Sequence, residues 1–343
     1  MKVLRLNKDK KFTISDENIP EAKNNEVLLR IKSVGICASD VHYYRDGRIG
    51  PTVITDPIIP GHEFSGEIVE NGKDVKELKP GMRVAVDPAI PCGKCEFCIE
   101  GNTNLCPEIR FCGTPPTDGA LREFVAYPEN LVFPLPKTIS LDEGAILETL
   151  GVCLHSIDLG KIKTAWTAGV IGTGPIGLLI IQLSKLSGLK EIYATDLLDY
   201  RLSIARKFGA DVTLNPQKEN VSEKILRLTK SRGVDVVFEA AGSVDTLQQC
   251  VEIAKPGGKV IIIGICPEDI IRFKSSTARR KGLTIKLVRR MKNIYPRAIS
   301  LVEKKLINLK SIITHNFSLY ETEKAFKTVK LYENGVIKAI INI

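Results

Sequence analysis

Residues 170–177 read Val-Ile-Gly-Thr-Gly-Pro-Ile-Gly and stand between two differently patterned halves of the chain. The apolar residues 168–171 predict a buried strand, and the apolar run 176–186, which stops at Gly188, predicts a helix. Between a strand and a helix, three such glycines permit a tight turn, a close approach of the backbone to a pyrophosphate, and close helix–strand packing. The stretch therefore predicts a dinucleotide-binding turn, with the phosphates at the helix N-terminus.

An acidic residue supports this interpretation. A second apolar run, residues 191–195, predicts a strand that ends at Asp196, 24 positions after Gly172. A carboxylate at about this distance hydrogen-bonds the adenosine ribose in dinucleotide-binding folds. A glycine turn without a ligand remains the alternative for an isolated pattern, but the strand, the helix and the acid together favour nucleotide binding.

Length and composition set the class of protein. A chain of 343 residues predicts about two domains, and 43% hydrophobic with 26% charged residues indicates a globular rather than a disordered protein. Nine cysteines, four of them closely grouped, indicate metal ligands and buried thiols rather than a disulfide framework. The N-terminus lacks the apolar core of a signal peptide, and no run approaches the ~18 apolar residues of a membrane span. We therefore expect a cytoplasmic protein without a membrane partner.

The pattern of predicted elements changes near residue 150. Before it, short alternating runs such as 27–32 and 81–86, separated by Pro and Gly, favour a β-barrel. After it, predicted strands mostly alternate with helices, which favours a doubly wound parallel sheet; these strands are 169–171, 192–194, 212–214, 234–238, 259–263 and 283–288. Ser243 is a candidate helix N-cap. Ser318 and Glu321 form a capping-box pattern for a last helix ending at Gly335, and strand 336–341 is expected to rejoin the N-terminal domain.

The net charge of +9 is concentrated in one segment. From Arg272 to Lys310 there are thirteen Lys or Arg residues and a single acid, Glu303. A solvated basic face and a surface that attracts an anionic dinucleotide or substrate are both compatible with this run. Nucleic-acid binding is disfavoured, because only Phe273 and Tyr295 supply aromatic rings and no nucleic-acid motif accompanies the charge.

Four cysteines, Cys92, Cys95, Cys98 and Cys106, lie close together in the sequence. Four thiolates at this spacing can close a tetrahedron around zinc at about 2.3 Å and leave no open position, which is typical of a structural site. An iron–sulfur cluster and four unligated thiols are the alternatives, and the compact loop favours zinc.

Three further residues, Cys37, His62 and Glu63, can meet from separate segments. A thiolate, an imidazole and a carboxylate leave one zinc position open, as a catalytic site requires. Each residue alone is weak evidence, but together, in a chain with a dinucleotide turn, they predict a catalytic metal centre.

The chain resembles the zinc-dependent medium-chain alcohol dehydrogenases over essentially its whole length, and among them it most resembles the sorbitol and xylitol (polyol) dehydrogenases. The resemblance rests on residues 37–50, 61–66, the four-cysteine loop, 111–119, 172–177 and the pair Thr195-Asp196. It implies an α/β protein with a GroES-like β-barrel catalytic domain over residues 1–150 and a Rossmann NAD-binding domain over 151–287. Residues 288–343 would return to the catalytic domain.

The resemblance also implies residue roles. Cys37, His62 and Glu63 would hold the catalytic zinc, Asp40 would support the histidine ligand, and Glu148 would orient or replace a zinc-bound water. Ser39 and His42 match the proton relay, and Tyr43, Phe111 and Arg290 match substrate positions. The cofactor positions are Gly172, Gly174, Pro175, Ile176, Gly177, Asp196, Arg201 and Gly264. The chain departs from the family at Thr149, where Pro is usual, and at Met291, where Tyr is frequent.

The activity implied is hydride transfer from a secondary alcohol of a polyol to NAD, giving a ketose, with two zinc ions per chain in a homodimer or homotetramer. Alternatives are threonine dehydrogenase-like amino-alcohol oxidation, a sugar-alcohol phosphate dehydrogenase, and a non-catalytic NAD- or zinc-binding regulator. The open metal position favours an enzyme, and the run 42–50 favours the polyol group. The sequence does not identify the polyol.

Overall fold

The chain divides close to residue 150, where the sequence pattern changes. In the computed structural model, which describes residues 1–268 and 270–343, Met1–Thr149 and Lys292–Ile343 form one unit and Leu150–Met291 forms a second. The boundaries expected after residues 150 and 287 fall one and four residues from these divisions.

The regular elements are as follows. The strands are β1 (Lys2–Leu6), β2 (Phe12–Asp16), β3 (Glu26–Gly35), β4 (Arg48–Ile49), β5 (Thr52–Val53), β6 (Glu63–Asn71), β7 (Arg83–Val86), β8 (Ala89–Ile90), β9 (Arg110–Phe111), β10 (Phe124–Pro128), β11 (Val132–Pro134), β12 (Thr167–Ile171), β13 (Glu191–Thr195), β14 (Val212–Leu214), β15 (Val234–Glu239), β16 (Ala254–Ile262), β17 (Thr284–Leu287), β18 (Ile313–Ser318) and β19 (Lys338–Asn342). The α-helices are α1 (Ala38–Asp46), α2 (Glu96–Ile99), α3 (Leu141–Ala145), α4 (Leu147–Gly160), α5 (Pro175–Leu186), α6 (Asp199–Lys207), α7 (Val221–Leu228), α8 (Thr246–Ile253), α9 (Ser275–Lys281), α10 (Tyr295–Glu303) and α11 (Thr322–Leu331). Among the described residues, none of these helices is long and apolar enough to cross a membrane.

The second unit is built on a parallel sheet of six strands. Their order is β14-β13-β12-β15-β16-β17, which is the 3-2-1-4-5-6 order of a dinucleotide-binding sheet. Every residue of β12 and β15 is buried, which explains why both strands have nearly continuous apolar sequences. The predicted doubly wound sheet is confirmed.

The first unit contains a larger, mainly antiparallel sheet. Its order is β11-β7-β6-β3-β19-β18, and β10 also pairs with β3. The long strand β3 thus has three partners, and inward side chains such as Leu29, Ile31 and Val34 form the centre of an apolar core. The predicted β-rich N-terminal domain is confirmed.

The C-terminal segment closes this sheet. Strand β19 pairs antiparallel with β3, so that Ile340 lies opposite Gly35. The Ser318–Glu321 capping box is present, but it opens a 3₁₀ turn, Leu319–Glu321, immediately before α11. Helix α11 ends at Leu331 rather than Gly335, and a second 3₁₀ turn, Glu333–Gly335, follows.

The predicted N-cap at Ser243 is wrong. Helix α8 begins at Thr246, and its N-cap is Asp245. The buried carboxylate of Glu239 accepts hydrogen bonds from the backbone of Ala241 and Gly242 and from the Thr246 hydroxyl. These contacts hold the chain in a turn after β15, so the helix starts later.

Part of the basic segment has a structural role. The Lys281 ammonium donates hydrogen bonds to the carbonyls of Val251, Glu252 and Ala254, at the C-terminal end of α8. A cation at that end satisfies carbonyls that have no partner within the helix and interacts favourably with its dipole. In the first unit, Lys292 donates to Asn102 at 2.6 Å, beside the four-cysteine loop.

One buried acid joins the two central strands of the parallel sheet. Asp235 on β15 accepts hydrogen bonds from the backbone and hydroxyl of Thr167 on β12, both at 2.9 Å. Lys255 and Arg232 also contact it, at 2.6 and 2.7 Å. Burial disfavours the charged form, but these partners outweigh burial and hold the pKa of Asp235 well below its usual range.

We predict that Asp235→Asn lowers the free energy of unfolding at pH 7 by about 2 kcal/mol, because it weakens hydrogen bonds made to a charged group. A depressed folded-state pKa stabilises the fold above the unfolded-state pKa, so the difference from wild type should shrink as pH falls below about 4. Urea denaturation at several pH values measures both effects. Glu323→Gln, at an exposed ion pair with Lys327, is the control and should change stability by less than about 0.5 kcal/mol. A difference for Asp235→Asn that does not depend on pH would contradict the assignment.

Candidate active site

Backbone pairing brings Cys37, His62 and Glu63 together. Cys37 follows β3 as the N-cap of α1, while His62 and Glu63 stand where β6 begins. Gly35 and Glu63 are direct partners in the antiparallel ladder, so the residues just beyond these strand ends are neighbours. A side chain at position 35 would collide with the acid, because its Cβ would lie 2.2 Å from Glu63 Oε2.

The donor set of this cluster suits zinc. One donor atom from each of Cys37, His62 and Glu63 lies within 4.8 Å of the others, and His62 and Glu63 are buried. Sulfur, imidazole nitrogen and carboxylate oxygen at this separation match zinc bond lengths of about 2.0–2.3 Å. Three protein ligands leave one position of a tetrahedron for a substrate oxygen or water.

Asp40 supports the histidine of this cluster. Its Oδ1 lies 3.4 Å from His62 Nδ1 and accepts the Gly61 N–H, while Oδ2 accepts the Cys37 N–H at 3.0 Å. This arrangement leaves Nε2 of His62 for a metal, as in carboxylate–histidine–zinc units. Burial disfavours the charged ring, but Asp40 and Cys37 outweigh it, so the pKa of His62 lies well above 6.5. Metal binding therefore has to displace a proton.

Two residues that sequence reasoning did not assign to the site hold Glu63. The ammonium of Lys338, which is buried on β19, donates to both Glu63 oxygens at 2.8 Å and to the Ile36 carbonyl at 3.2 Å. The Thr149 hydroxyl donates to Glu63 Oε1 at 2.9 Å. In the sequence, the presence of Thr149 where Pro is usual was the only feature that pointed to either Thr149 or Lys338 as a partner of Glu63.

Glu148 and Phe111 complete the surroundings of the metal ligands. Glu148 lies in the first turn of α4 and is buried. Burial raises the pKa of its carboxyl to about 7, against the attraction of His62, and the charge of Glu63 adds to the rise. The Phe111 ring is also buried, and its centroid lies 5.2 Å from that of His62.

The predicted relay residues share a helix. Ser39 and His42 lie three positions apart on α1 and therefore project from neighbouring positions of the same face. His42 Nδ1 lies 3.1 Å from Arg45 Nη2 and 3.4 Å from Asp46 Oδ2, two groups near the surface. Burial lowers the pKa of His42, which keeps the ring neutral near pH 7.

Tyr43, a predicted substrate residue, is buried in an apolar cluster with Leu6, Ile54 and Ile58.

The four-cysteine loop also suits zinc. Cys92, Cys95, Cys98 and Cys106 offer sulfur atoms within 4.8 Å of one another. Sγ of Cys98 lies 4.0 Å from Sγ of Cys92 and 3.5 Å from that of Cys95, close to the edge of about 3.8 Å of a tetrahedron with zinc–sulfur bonds of about 2.3 Å. The backbone N–H groups of Lys94 and Cys95 lower the pKa of Cys92 to about 7, whereas burial and the neighbouring sulfur of Cys95 raise that of Cys98 to about 12. Four negatively charged thiolates this close together repel one another, so a bound cation is needed to hold all four in the loop.

In the second unit, the glycine turn has the geometry expected from the sequence. Gly172 has φ +90°, and a Cβ there would lie 2.8 Å from the Ala241 nitrogen. A Cβ on Gly177 would lie 1.9 Å from the Gly172 carbonyl oxygen, so only glycine lets α5 pack this closely. Gly174 is the N-cap of α5 and Pro175 its first residue, which leaves the helix N-terminus open to an anion.

Asp196 follows β13, as predicted, and its carboxylate contacts the glycine turn. Oδ2 accepts the backbone N–H of Thr173 at 2.7 Å and its hydroxyl at 3.1 Å, while Oδ1 accepts the Leu198 N–H at 3.0 Å. Arg201 Nη1 lies 3.9 Å from the same carboxylate. The sequence predicted an acid for the ribose; the structure shows that this acid also orders the turn.

The loop after β15 packs against the turn. Glu239, at the C-terminal end of β15, is the buried acid that fixes this loop, and sequence reasoning did not single it out. Gly264, a predicted cofactor residue, meets the same loop: a Cβ there would lie 2.3 Å from the Gly242 nitrogen and 2.6 Å from Glu239 Oε2.

Arg290, a predicted substrate residue, has a left-handed backbone with φ +53°.

A three-ligand metal cluster and a dinucleotide turn in one chain define a zinc-type, nicotinamide-dependent oxidoreductase. Residues 23–137 match the family described as "Alcohol dehydrogenase GroES-like domain", and residues 175–304 match "Zinc-binding dehydrogenase". The sorbitol dehydrogenase of Bacillus subtilis is 35% identical over 99% of this chain and 97% of its own length. The chain belongs to the family of zinc-type alcohol and polyol dehydrogenases.

Two solved structures share the fold. An oxidoreductase/dehydrogenase of unknown specificity from Escherichia coli has a TM-score of 0.94 and 33% identity, covering 100% of this chain and 99% of its own. Galactitol-1-phosphate dehydrogenase from Escherichia coli has a TM-score of 0.89 and 29% identity, covering 99% of each chain. The predicted family and fold, and zinc with a nicotinamide dinucleotide as cofactors, are therefore confirmed.

We predict two zinc ions per freshly purified chain, and one in Cys98→Ser, because loss of one thiolate opens the four-sulfur site. Elemental analysis of gel-filtered protein measures the content. Cys266→Ser, at a cysteine outside both clusters, is the control and should retain two. A wild-type content of one that Cys98→Ser leaves unchanged would exclude zinc from the four-cysteine loop.

Proposed function

We propose that this chain oxidises a secondary alcohol of a neutral polyol to a ketone, with NAD as the hydride acceptor. The observation that carries the proposal is the set Cys37, His62 and Glu63, which has zinc-compatible donors and, with three ligands, leaves one tetrahedral position for a further ligand. The Bacillus subtilis relative is a sorbitol dehydrogenase, which supports a polyol as the substrate class.

In the proposed reaction, Cys37, His62 and Glu63 would hold zinc. When bound, zinc would supply the Lewis acidity that favours loss of the alcohol proton. Asp40 keeps His62 in the tautomer that binds through Nε2, and Lys338 keeps Glu63 in place. Glu148, whose pKa burial raises to about 7, would orient or replace a water at this site.

We assign the exit of the alcohol proton to α1. Ser39 is partly exposed and stands two residues after the ligand Cys37. His42, one helical turn further on, receives the proton and releases it to solvent beside Arg45 and Asp46, whose side chains are 39% and 36% exposed. A neutral His42 ring at pH 7 is able to accept that proton.

The dinucleotide is assigned to the turn of the second unit. The backbone of Gly172, Gly174, Pro175, Ile176 and Gly177 would carry the pyrophosphate at the N-terminus of α5. Asp196 would accept the adenosine ribose hydroxyls. Arg201 lies 3.9 Å from this acid and would contact the same part of the cofactor.

We predict that kcat/KM for NAD exceeds that for NADP by about a hundredfold, because the charge of Asp196 opposes a 2′-phosphate and each ~1.4 kcal/mol is tenfold. Asp196→Asn keeps one oxygen for Thr173 and removes the charge, so it should narrow this ratio. Initial rates with both cofactors measure it. Asp199→Asn, at an exposed acid three residues away, is the control and should leave the ratio unchanged. Comparable kcat/KM values in wild type would contradict the role of Asp196.

Substrate contacts are assigned to Phe111, Tyr43 and Arg290. Of these three residues, Arg290 is the one with a charged side chain, and its guanidinium group can donate several hydrogen bonds to hydroxyl oxygens. Tyr43 is buried with Leu6, Ile54 and Ile58, and this packing holds its ring in place. Arg290 is therefore the substrate residue that we propose to test first.

A sugar-alcohol phosphate is the second candidate substrate. Arg289 precedes Arg290 in a basic segment, and two guanidinium groups bind a phosphate by charge-assisted, directional hydrogen bonds. The structural neighbour galactitol-1-phosphate dehydrogenase carries the same fold. Salt separates the two candidates, since it screens an exposed basic patch and barely affects a neutral ligand.

We predict that xylitol, sorbitol or galactitol is oxidised faster than their phosphates and L-threonine, with a KM that changes little between low and moderate salt. Arg290→Ala should lower kcat/KM by at least about tenfold, as expected for a lost hydrogen bond of about 1.4 kcal/mol or more. Arg289→Ala is the matched control and should have little effect. Faster turnover of a sugar phosphate, abolished by Arg289→Ala, would replace the polyol with a phosphorylated substrate.

The cellular setting and assembly are also proposals. None of the nine cysteines, all of which lie among the described residues, forms a disulfide, which fits a reducing compartment such as the cytoplasm. A homodimer or homotetramer is expected from the resemblance to polyol dehydrogenases, and analytical ultracentrifugation determines which one forms.

A further inference from the structure

Thr149 occupies a position where the resembling polyol dehydrogenases usually have proline. It stands in the first turn of α4, and its side chain is buried. Its hydroxyl reaches across 86 residues of sequence to donate a hydrogen bond of 2.9 Å to Glu63 Oε1. Proline has no side-chain donor, so this contact is a property of the present chain.

The contact makes the two oxygens of Glu63 unequal. In the described part of the chain, Oε1 has two donors, Lys338 and Thr149, whereas Oε2 has Lys338. The terminal torsion of a glutamate side chain is broad, so a single ammonium centred between the two oxygens leaves the carboxylate free to rock. A second donor on one oxygen removes that freedom. The close approach of Gly35 to Oε2 restricts the opposite side.

We propose that Thr149 is a positioning residue that, together with Lys338, fixes the rotation of the Glu63 carboxylate and so increases zinc affinity at the Cys37–His62–Glu63 site. Threonine suits this task because its hydroxyl is attached to a branched Cβ, which leaves the side chain few rotamers in a helix. This inference rests on the proposed function, in which Glu63 is a zinc ligand.

The test is zinc retention, measured without turnover. Wild type, Thr149→Val and Thr149→Ser are loaded with zinc, exchanged into graded concentrations of a zinc chelator, and analysed for zinc per chain. We expect Thr149→Val, which keeps the shape and loses the donor, to bind one of its two zinc ions about 10–100-fold more weakly, the usual effect of removing a partner of a metal ligand. Thr149→Ser should recover most of the affinity.

A matched control separates positioning from packing. Thr322 is also a buried threonine in the first turn of a helix of the same unit, and its hydroxyl donates to the Leu319 carbonyl at 2.7 Å. Thr322→Val should release zinc as wild type does. Urea denaturation of the chelator-treated proteins measures stability without the metal, where Thr149→Val and Thr322→Val should lose similar amounts.

The outcomes separate the proposed zinc site from the positioning role of Thr149. If wild type retains zinc only in the four-cysteine loop, the metal part of the proposed function fails. If wild type holds two zinc ions and Thr149→Val holds both equally tightly, the proposed function survives and the role of Thr149 is overturned. Loss of stability in Thr149→Val with unchanged zinc affinity also overturns it, because the hydroxyl would then be a packing feature.

Discussion

The ion pair between Lys338 and Glu63 is the constraint on which the first unit depends. Both side chains are almost completely buried, and removing two charges from water is costly unless each finds the other with good geometry. Here the ammonium contacts both carboxylate oxygens and the Ile36 carbonyl. The same pair therefore fixes a metal ligand and joins β19 to the strands that carry it, so sheet closure and metal binding share one contact.

Much of this architecture could be predicted because it is encoded locally. The six strands of the parallel sheet, the turn 172–177 and the spacing of Cys92, Cys95, Cys98 and Cys106 are all visible within short windows. Lys338 could not be predicted. Lysine is almost never fully buried, and its partner is 275 residues away, so nothing near position 338 distinguishes it from a surface residue.

In the second unit, too, local features could be predicted from the sequence and contacts between distant residues could not. Gly177 could be predicted because the helix–strand contact excludes every other residue, whereas the turn after β15 could not. Ser243 is a good N-cap by residue type, but the Glu239 carboxylate determines where α8 begins by occupying nearby donors. Asp196 was found by its distance from the glycines, and its bonds to Thr173 became visible only in three dimensions. Side-chain contacts between loops depend on tertiary placement rather than on local pattern.

The late position of Lys338 affects the order in which the metal site is assembled during translation. Glu63 leaves the ribosome 275 residues before its counter-charge, a delay of roughly 15–55 s at 5–20 residues per second. During that interval the chain already contains Cys37, His62 and Glu63 but lacks the ammonium that balances the acid in the interior. A nascent chain therefore keeps this carboxylate hydrated, or neutralises it with a cation from solution, until the last strand joins the sheet.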